Sequence, residues 1–407
     1  MPVHLTAPNP AHIHAVPGVT LGFAQAQIKK WQRNDVMLMR LTKGSKVAGV
    51  FTQNAFAAAP VQVCRMHLKS GQPIQALIIN AGNANCGTGE QGLKAARDTC
   101  AAVAAALGCD PAAVLPFSTG VILEHLPVDK IVNALPQAVA GLAAHAWCEA
   151  AQAIMTTDTI HKAYSTQVPI GGKTITITGI AKGVGMLQPN MATMLAYIAC
   201  DAAISQGALQ ILLKQVADQS FNRVTVDGDT STNDSCVLIA TGQAGNAEIT
   251  VDSTDYAALK AALLSVAQPL AQAIARDGEG ATKFITVTIE GAATDDEAHR
   301  CGKFIAHSPL VKTAFFASDP NLGRLIMAIG NAIPELDTRN VNVFLGEVCV
   351  VEKGGRAASY TEAQGAAVMA QAEITVRVQL GRGSASTTVW TCDYSYDYVK
   401  INAEYRT

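Results

Sequence analysis

Aromatic residues and charged residues are both scarce in this chain of 407 residues. Phe, Trp and Tyr make up 5% of it, and Asp, Glu, Lys and Arg together make up 15%, with a formal net charge of −2. Surfaces that bind nucleic acid need clustered basic residues, and often aromatic side chains on which bases stack. The composition therefore argues against a nucleic-acid partner.

The ten cysteines form no C-x-x-C pair, so neither a zinc nor a disulfide framework is expected. The first residues lack a basic start followed by an apolar run, and no apolar stretch is long enough to span a bilayer. We therefore expect a protein of the reducing cytoplasm with no membrane partner. No P-loop or G-x-G-x-x-G motif predicts a nucleotide site, and we expect neither a cofactor nor a metal.

Apolar residues, by contrast, make up 49% of the chain, which argues against disorder. Segments typical of strands and helices alternate, so we expect two or three units with helices packed on sheets. Because residues 173–178 alternate strictly, we predict that one face of their strand is solvated. The predicted strands are 76–80, 167–178 (a hairpin), 193–200, 284–289, 341–351, 373–380 and 398–401. The predicted helices are 92–107, 208–220, 256–276 and one whose first turn contains Pro127.

A constrained turn lies directly before one of the predicted strands. Two glycines and a proline lie within residues 182–192, ahead of the apolar run that Thr193 opens. In a strained turn the Thr193 hydroxyl can attack the carbonyl of Ala192, and water then releases a free α-amine. That amine has a reference pKa of about 7.7–8.0, so it can act as the base for its own hydroxyl. Taken alone, the same pattern more often marks a residue that caps a strand.

Two further segments could support such a nucleophile. In Ser118-Thr119-Gly120, a hydroxyl and a glycine N–H could form an oxyanion hole for a tetrahedral intermediate, although a plain turn fits equally well. Thr156 and Thr157 belong to a polar run, residues 155–159, of the kind that usually forms a capping turn.

Two charged residues have glycine neighbours. Lys182 lies on the predicted loop before Thr193, and Glu279 lies between Gly278 and Gly280 after a predicted helix. A lysine and a glutamate could clamp the carboxylate and the amine of an amino-acid substrate. Solvated loop charges are the alternative for each.

Several segments, in order along nearly the whole chain, match one known family. They are residues 80–85, 118–122, 155–159, 189–194, 226–234, 278–283, 311–314 and 318–321. In these segments the chain resembles the ornithine acetyltransferases, also called glutamate N-acetyltransferases, of arginine biosynthesis. The resemblance implies an α+β fold: a layered α/β sandwich of the N-terminal-nucleophile type, with sheets between helix layers.

The resemblance also implies a self-processing acyltransferase. Cleavage between Ala192 and Thr193 would give an α chain of residues 1–192 and a β chain of residues 193–407, assembled as an α2β2 heterotetramer. Thr193 would carry the acetyl group of N-acetylornithine to glutamate. Some members of the family also use acetyl-CoA, which leaves that donor open here.

Individual roles follow from the same resemblance. Thr119 and Gly120 match the oxyanion-hole pair of the family. The matches to its substrate-binding positions are Lys182, Thr193, Glu279, Asn402, Thr407 and one hydroxyl of the Thr156-Thr157 pair. The chain departs from the family pattern, which usually has Ser or Thr, Gly, Pro and Trp, at Val184, Leu123, His125 and Leu322. None of these four is a proposed catalytic group, but Leu123 is close enough to Thr119 in sequence to reshape the pocket.

Two other functions fit parts of the sequence. A self-processed aminopeptidase or amidase would also use Thr193, with water as the acceptor, but it would explain Lys182 and Glu279 less well. Residues 227–230, Asp-Gly-Asp-Thr, suggest a phosphate-binding or metal-binding protein, since carboxylate-rich loops bind cations. The alternative for that segment is a loop over the active site. Exchange between donor and acceptor, and activity without metal, would separate acetyl transfer from both.

Overall fold

The computed structural model describes residues 2–188 and 194–404 of the chain. The predicted nucleophile Thr193, the cleavage partner Ala192 and the predicted binding residue Thr407 lie outside the described residues. Within the described part, the structure contains fifteen strands and eleven α-helices.

The strands are β1 (Val19–Ala24), β2 (Val36–Leu41), β3 (Lys46–Phe51), β4 (Ala76–Asn83), β5 (Val114–Val121), β6 (Lys162–Ile170), β7 (Lys173–Lys182), β8 (Leu195–Cys200), β9 (Ser235–Ala240), β10 (Phe284–Ala292), β11 (Asn342–Leu345), β12 (Val348–Glu352), β13 (Gly355–Arg356), β14 (Glu373–Gln379) and β15 (Ala385–Cys392). The helices are α1 (Ala59–Lys69), α2 (Gly89–Leu107), α3 (Val128–Ala140), α4 (Trp147–Ala153), α5 (Gln206–Asp218), α6 (Tyr256–Arg276), α7 (Asp295–His307), α8 (Pro309–Phe316), α9 (Leu322–Ala332), α10 (Glu362–Met369) and α11 (Tyr396–Ala403).

Two sheets pack face to face at the centre of the molecule. The first has the strand order β1-β2-β4-β5, and the second, which we call the central sheet, has the order β3-β9-β8-β7-β6. Strand β8 is buried along its whole length, as its continuous apolar run predicts. Alternate residues of β8 face the first sheet, where Tyr197 meets Phe117 edge to face with ring centroids 5.2 Å apart.

Helices cover the outer faces of both sheets. Helices α1, α2 and α3 pack on the first sheet, and α5 and α6 pack on the central sheet. The predicted α+β architecture, with sheets between helix layers, is confirmed. Helix α6 has the length and apolar composition of a membrane-crossing helix, but one of its faces packs on β6 and β7. The residues of that face are Leu259, Leu263, Val266, Leu270 and Ile274.

A third sheet extends the fold in the last third of the chain. Its strand order is β13-β12-β11-β14-β10-β15, and helices α7 and α9 close one apolar cluster against it. Phe284, Trp390 and Cys392 belong instead to the cluster under the central sheet. These shared core residues join the third sheet to the rest of the molecule.

The predicted boundary between residues 192 and 193 lies, in chain order, between two strands of the central sheet. Strand β7 precedes it and β8 follows it, and the two strands pair from Lys182↔Leu195 to Ile177↔Cys200. Strand β3 pairs with β9 across the same boundary. The two predicted chains therefore contribute to one sheet and are not separate folding units.

Three local predictions are wrong. Residues 341–351, predicted as one strand, form the antiparallel hairpin of β11 and β12. We expected one solvated face on residues 173–178, but Thr176 and Thr178 are both buried. The N-terminal segment covers that face, and the Thr178 hydroxyl donates to the carbonyl of His14 at 2.6 Å. Residues 398–401, predicted as a strand, belong to helix α11, where the Ser395 hydroxyl caps the first turn by accepting the N–H of Tyr398. Local β propensity was overridden because this segment pairs with no neighbouring strand among those described.

Candidate active site

A cavity of about 310 Å³ opens at one end of the first sheet and the central sheet. The carboxyl ends of β5 and β7 meet there beside the beginning of β8, and the loops after α4 and α6 and helix α11 close the sides. The polar residues that line the cavity are Thr119, Thr156, Thr157, Lys182, Ser231, Asn233, Asp234, Glu279 and Asn402. Six separate segments of the chain thus supply hydroxyls, amides, one lysine and two carboxylates to a single space.

Lys182 is the last residue of β7 and points into this cavity. The sequence suggested a loop position, but the structure places it on a strand with its side chain 10% exposed. Its ammonium donates to the Thr156 hydroxyl at 2.7 Å and to the Thr119 hydroxyl at 3.2 Å. Burial lowers the pKa of Lys182, while the Asp158 carboxylate, 3.9 Å away, opposes that shift. Hydrogen bonds to two hydroxyls therefore hold the Lys182 ammonium in place. Its pKa is lowered by burial, against the opposing charge of Asp158.

A buried ion-pair network lies behind Lys182. The Lys162 ammonium bridges Asp158 at 2.8 Å and Asp277 at 2.7 Å, and all three side chains are at most 1% exposed. Asp158 also accepts the N–H groups of Thr156 and Gly183. Burial alone would raise the pKa of the Asp158 carboxyl, but Lys162 and Lys182 hold it below its usual value. This network fixes the loop that presents the two threonines.

We predict that Lys162→Met lowers the thermal unfolding midpoint by roughly 4–6 °C, because removing one partner leaves two buried carboxylates unpaired, which costs about 3–5 kcal/mol. Lys94→Met is the matched control, since Lys94 forms an exposed i,i+4 pair with Asp98 that contributes about 1 kcal/mol or less. Calorimetry at pH 7 compares the two variants. Equal shifts would contradict a structural role for the network.

The pH dependence of that stability has a definite sign. Asp158 has a depressed pKa, so its contribution is present above about pH 4, the usual aspartate value, and is lost as the pH falls through the lower folded value. Lys162 has a raised pKa, held up by Asp158 and Asp277 against the effect of burial. Its contribution is present below about pH 10.4 and is lost as the pH rises through the folded value. Between these limits this network should make the same contribution to the thermal unfolding midpoint of the parent protein at every pH.

Thr119 and Gly120 lie near the end of β5, the edge strand of the first sheet. Because the Thr119 oxygen accepts a hydrogen bond from Lys182, its own proton is free to donate into the cavity. Gly120 has φ +137°, and a Cβ there would lie 2.2 Å from the carbonyl carbon of Gly82. Only glycine fits this close approach of two strands. The cavity wall thus places a hydroxyl that accepts from Lys182 next to a glycine.

Glu279 enters the cavity from the loop after α6. Its two carboxylate oxygens accept the Thr157 hydroxyl at 2.8 Å and the Asn402 side-chain amide at 2.9 Å. A Cβ on Gly185 would lie 2.3 Å from Oε2 of Glu279, so that glycine makes room for the carboxylate. Both hydroxyls of the Thr156-Thr157 pair are therefore engaged, one with the lysine and one with the glutamate.

Asp234 is a cavity residue for which the sequence predicted no role. It lies just before β9, is 3% exposed, and its Oδ2 has no hydrogen-bond partner among the described residues. Burial raises its pKa well above the ordinary aspartate value, although Ser231 and the charge of Lys182 oppose the shift. A buried carboxyl of this kind can hold a proton beside the reacting groups.

Asp227 anchors the chain that leads to residue 188. Its carboxylate accepts the N–H groups of Met186 at 2.6 Å and Leu187 at 2.7 Å. The Asp227 carboxylate thus holds a loop whose residue Met186 lines the cavity. This arrangement agrees with a loop beside the active site, which was the alternative to a cation site. Within residues 2–188 and 194–404, no group of three or more His, Cys, Asp or Glu side chains is arranged to hold a metal ion.

Comparison with known proteins identifies the family, since the model of the ArgJ family matches residues 20–407. The chain belongs to the ArgJ family. Membership confirms the predicted resemblance and, in general terms, an acyltransferase of arginine biosynthesis.

Several solved structures are similar to this ArgJ-family chain. The arginine biosynthesis bifunctional protein argJ from Bacillus halodurans is 41% identical; the match covers 50% of this chain and 95% of that one, with a TM-score of 0.48. The ornithine acetyltransferase from Mycobacterium tuberculosis, solved with ornithine, is 34% identical over 44% of this chain and 94% of that one, with a TM-score of 0.39. An l-aminopeptidase d-Ala-esterase/amidase from Ochrobactrum anthropi, described as a variant of the Ntn hydrolase fold, is 11% identical over 68% and 89%, with a TM-score of 0.39.

Four positions at which this ArgJ-family chain departs from the expected pattern have different surroundings. Val184 is buried in the cavity wall, and Leu123 lines the same cavity while 70% exposed. The carbonyl of His125 accepts the side-chain amide of Asn83, and His125 is not among the residues that line the cavity in the described part of the chain. Leu322 begins α9 and packs on the third sheet, away from the cavity.

Proposed function

We propose that this protein transfers the acetyl group of N-acetylornithine to glutamate through an acetyl ester on Thr193. One observation carries the proposal: Lys182, bonded to the Thr119 hydroxyl, and Glu279 line one cavity at the place where β8 begins. Family membership supports the same reaction class. A cation and a carboxylate in one small space suit substrates that carry both charges.

The nucleophile would first be made by self-cleavage. The Thr193 hydroxyl attacks the Ala192 carbonyl, the peptide C–N bond breaks, and the departing nitrogen takes a proton, so that an ester replaces the amide. Water hydrolyses this ester and leaves the Ala192 carboxylate and a free Thr193 α-amine. That amine, with a reference pKa of about 7.7–8.0, then serves as the base for its own hydroxyl.

Acetyl transfer would follow in two steps. The Thr193 oxygen attacks the acetamide carbonyl of N-acetylornithine, and its proton passes through the α-amine to the nitrogen of the departing ornithine. The amine of glutamate then attacks the acetyl ester, and the Thr193 oxygen regains its proton. In both steps the Thr119 hydroxyl and the Gly120 N–H would stabilise the oxyanion.

The charged groups would orient both amino acids. Lys182 would bind a carboxylate of the substrate, and Glu279, steadied by Thr157 and Asn402, would bind an ammonium group. We assign further substrate contacts to Thr156 and Thr407. A second donor, acetyl-CoA, would charge the same threonine; formation of N-acetylglutamate from acetyl-CoA and glutamate alone would establish that activity.

The two products of cleavage would stay together. Because β7 and β8 are neighbours in the central sheet, a cut between residues 192 and 193 leaves the ladder that joins the α and β chains intact. We propose that these chains form an α2β2 heterotetramer, and we propose the cytoplasm as its location.

The function is tested by intact mass, N-terminal sequencing and an isotope-exchange assay on the purified protein. We expect two fragments that together account for the 42.4 kDa chain, the second beginning Thr-Met-Leu-Ala. Labelled acetyl from N-acetylornithine should appear in N-acetylglutamate at a rate that a chelator does not change. Release of labelled acetate without N-acetylglutamate would instead indicate a hydrolase.

A further inference from the structure

Two exposed apolar side chains at the cavity are held in an unfavourable backbone conformation. Leu123 has φ +68° and Met186 has φ +48°; their side chains line the cavity and are 70% and 46% exposed. Bulky residues rarely adopt positive φ because Cβ crowds the following carbonyl. Both residues thus combine backbone strain with exposed apolar surface at a single place.

In the described residues, positive φ and an apolar side chain occur together only at Leu123 and Met186. Seven non-glycine residues have positive φ in the described part of the chain. The other five are His4, Gln27, Asn85, Ser318 and Lys353, all polar. Leu123 and Met186 therefore form a distinct class: they are the strained residues with apolar side chains, and both line the cavity.

Hydrogen bonds fix both strained backbones in place. The N–H of Leu123 donates to the carbonyl of Cys86 at 2.9 Å, and its side chain lies over Gly87, where a Cβ would come within 2.6 Å of Cδ2. The N–H of Met186 donates to Asp227 at 2.6 Å. Strain of this kind persists where its surroundings over-determine it, and it concentrates at functional sites. The two side chains are therefore presented to the cavity by a rigid frame.

We propose that Leu123 and Met186 form an apolar lip that keeps water from the acyl-enzyme and so sets the ratio of transfer to hydrolysis. The inference rests on the proposed function. An ester intermediate must react with a dilute amine in the presence of concentrated water, and exclusion of water favours the amine. The lip would cover the methylene chain of the bound amino acid, while Lys182 and Glu279 hold its charged ends.

Glycine substitutions test the lip without threatening the fold. Glycine accepts positive φ without strain, so Leu123→Gly, Met186→Gly and the double variant should fold at least as well as the parent. With N-acetylornithine and glutamate as substrates, we expect the ratio of acetate released to N-acetylglutamate formed to rise by about tenfold in the double variant. Leu123→Met should keep the parent ratio, because it restores an apolar side chain.

Lys353→Gly is the matched control, since it relieves positive φ in an exposed turn between β12 and β13. It should leave the ratio unchanged. If Met186→Gly is not cleaved into two chains, Leu123→Gly alone decides the question. A parent that transfers acetyl while the glycine variants hydrolyse no faster overturns the lip and leaves the proposed function standing. A parent that transfers no acetyl to glutamate overturns both.

Discussion

Thr193→Ala is expected to abolish both self-cleavage and acetyl transfer. The variant should remain a single chain of 42.4 kDa, because without the hydroxyl nothing attacks the Ala192 carbonyl. It should lose at least about 10⁴-fold in turnover, as other enzymes do when the nucleophile of an acyl-enzyme mechanism is removed. Denaturing electrophoresis and the isotope-exchange assay measure the two effects on the same preparation.

Thr193→Ser is the conservative partner of this variant. Serine keeps the hydroxyl, so the protein should still be cleaved, and the new α-amine should still activate the neighbouring oxygen. Circular dichroism of the alanine variant should match that of the parent, which separates lost chemistry from lost structure. An uncut alanine variant that retains normal activity would show that Thr193 is not an N-terminal nucleophile, and the proposed mechanism would fail.

Much of the layered fold can be read from local sequence signals. Helix α2 ends where Gly108 adopts φ +69°, as a glycine stop predicts, and the β6–β7 hairpin turns at Gly171 and Gly172, both with positive φ. Strand β8 is buried as its apolar run requires. These features depend on a few neighbouring residues, so a single sequence contains the information that sets them.

Burial of polar residues was harder to predict, since it depends on the packing of distant segments. Residues 173–178 alternate like a half-solvated strand, yet the N-terminal segment seals the second face through Thr178 and His14. Helix α11 contradicts its β-branched and aromatic composition because capping by Ser395 and the absence of a described strand neighbour decide its conformation. The first outcome depends on a distant segment, whereas the Ser395 cap of α11 is a local signal directly before the helix.

The candidate site likewise contains residues that were predicted from the sequence and residues that were not. Resemblance to a family predicted Thr119, Lys182, Glu279 and Asn402, and the structure brings these side chains to one cavity; their roles stay predictions. The supporting charges were missed: Asp158 lay in a run interpreted as a capping turn, although it bonds Lys162, four residues later, which in turn reaches Asp277 across 115 residues. A buried network of this kind leaves no periodic signal in the sequence.

Lys182→Met should reduce turnover by about 10²–10³-fold, the usual loss when one group that stabilises an oxyanion is removed. Methionine has a similar length but no charge, so Thr119 loses the donor 3.2 Å from its oxygen and the substrate loses a partner for its carboxylate. In the parent, burial lowers the pKa of Lys182, so activity should fall at alkaline pH through a value below that of an ordinary lysine, about 10.4.

The lysine test separates charge from packing when Lys182→Arg and Lys214→Met are measured beside it. Arginine keeps the charge but carries a planar fork that does not match a point donor between the Thr119 and Thr156 hydroxyls, so it should not restore turnover. Lys214 forms an exposed pair with Asp218, and its loss should leave the rate unchanged. If Lys182→Met stays within threefold of the parent and keeps the same alkaline limb, Lys182 neither polarises Thr119 nor binds the substrate, and Glu279 would have to orient both amino acids without a cationic partner from this strand.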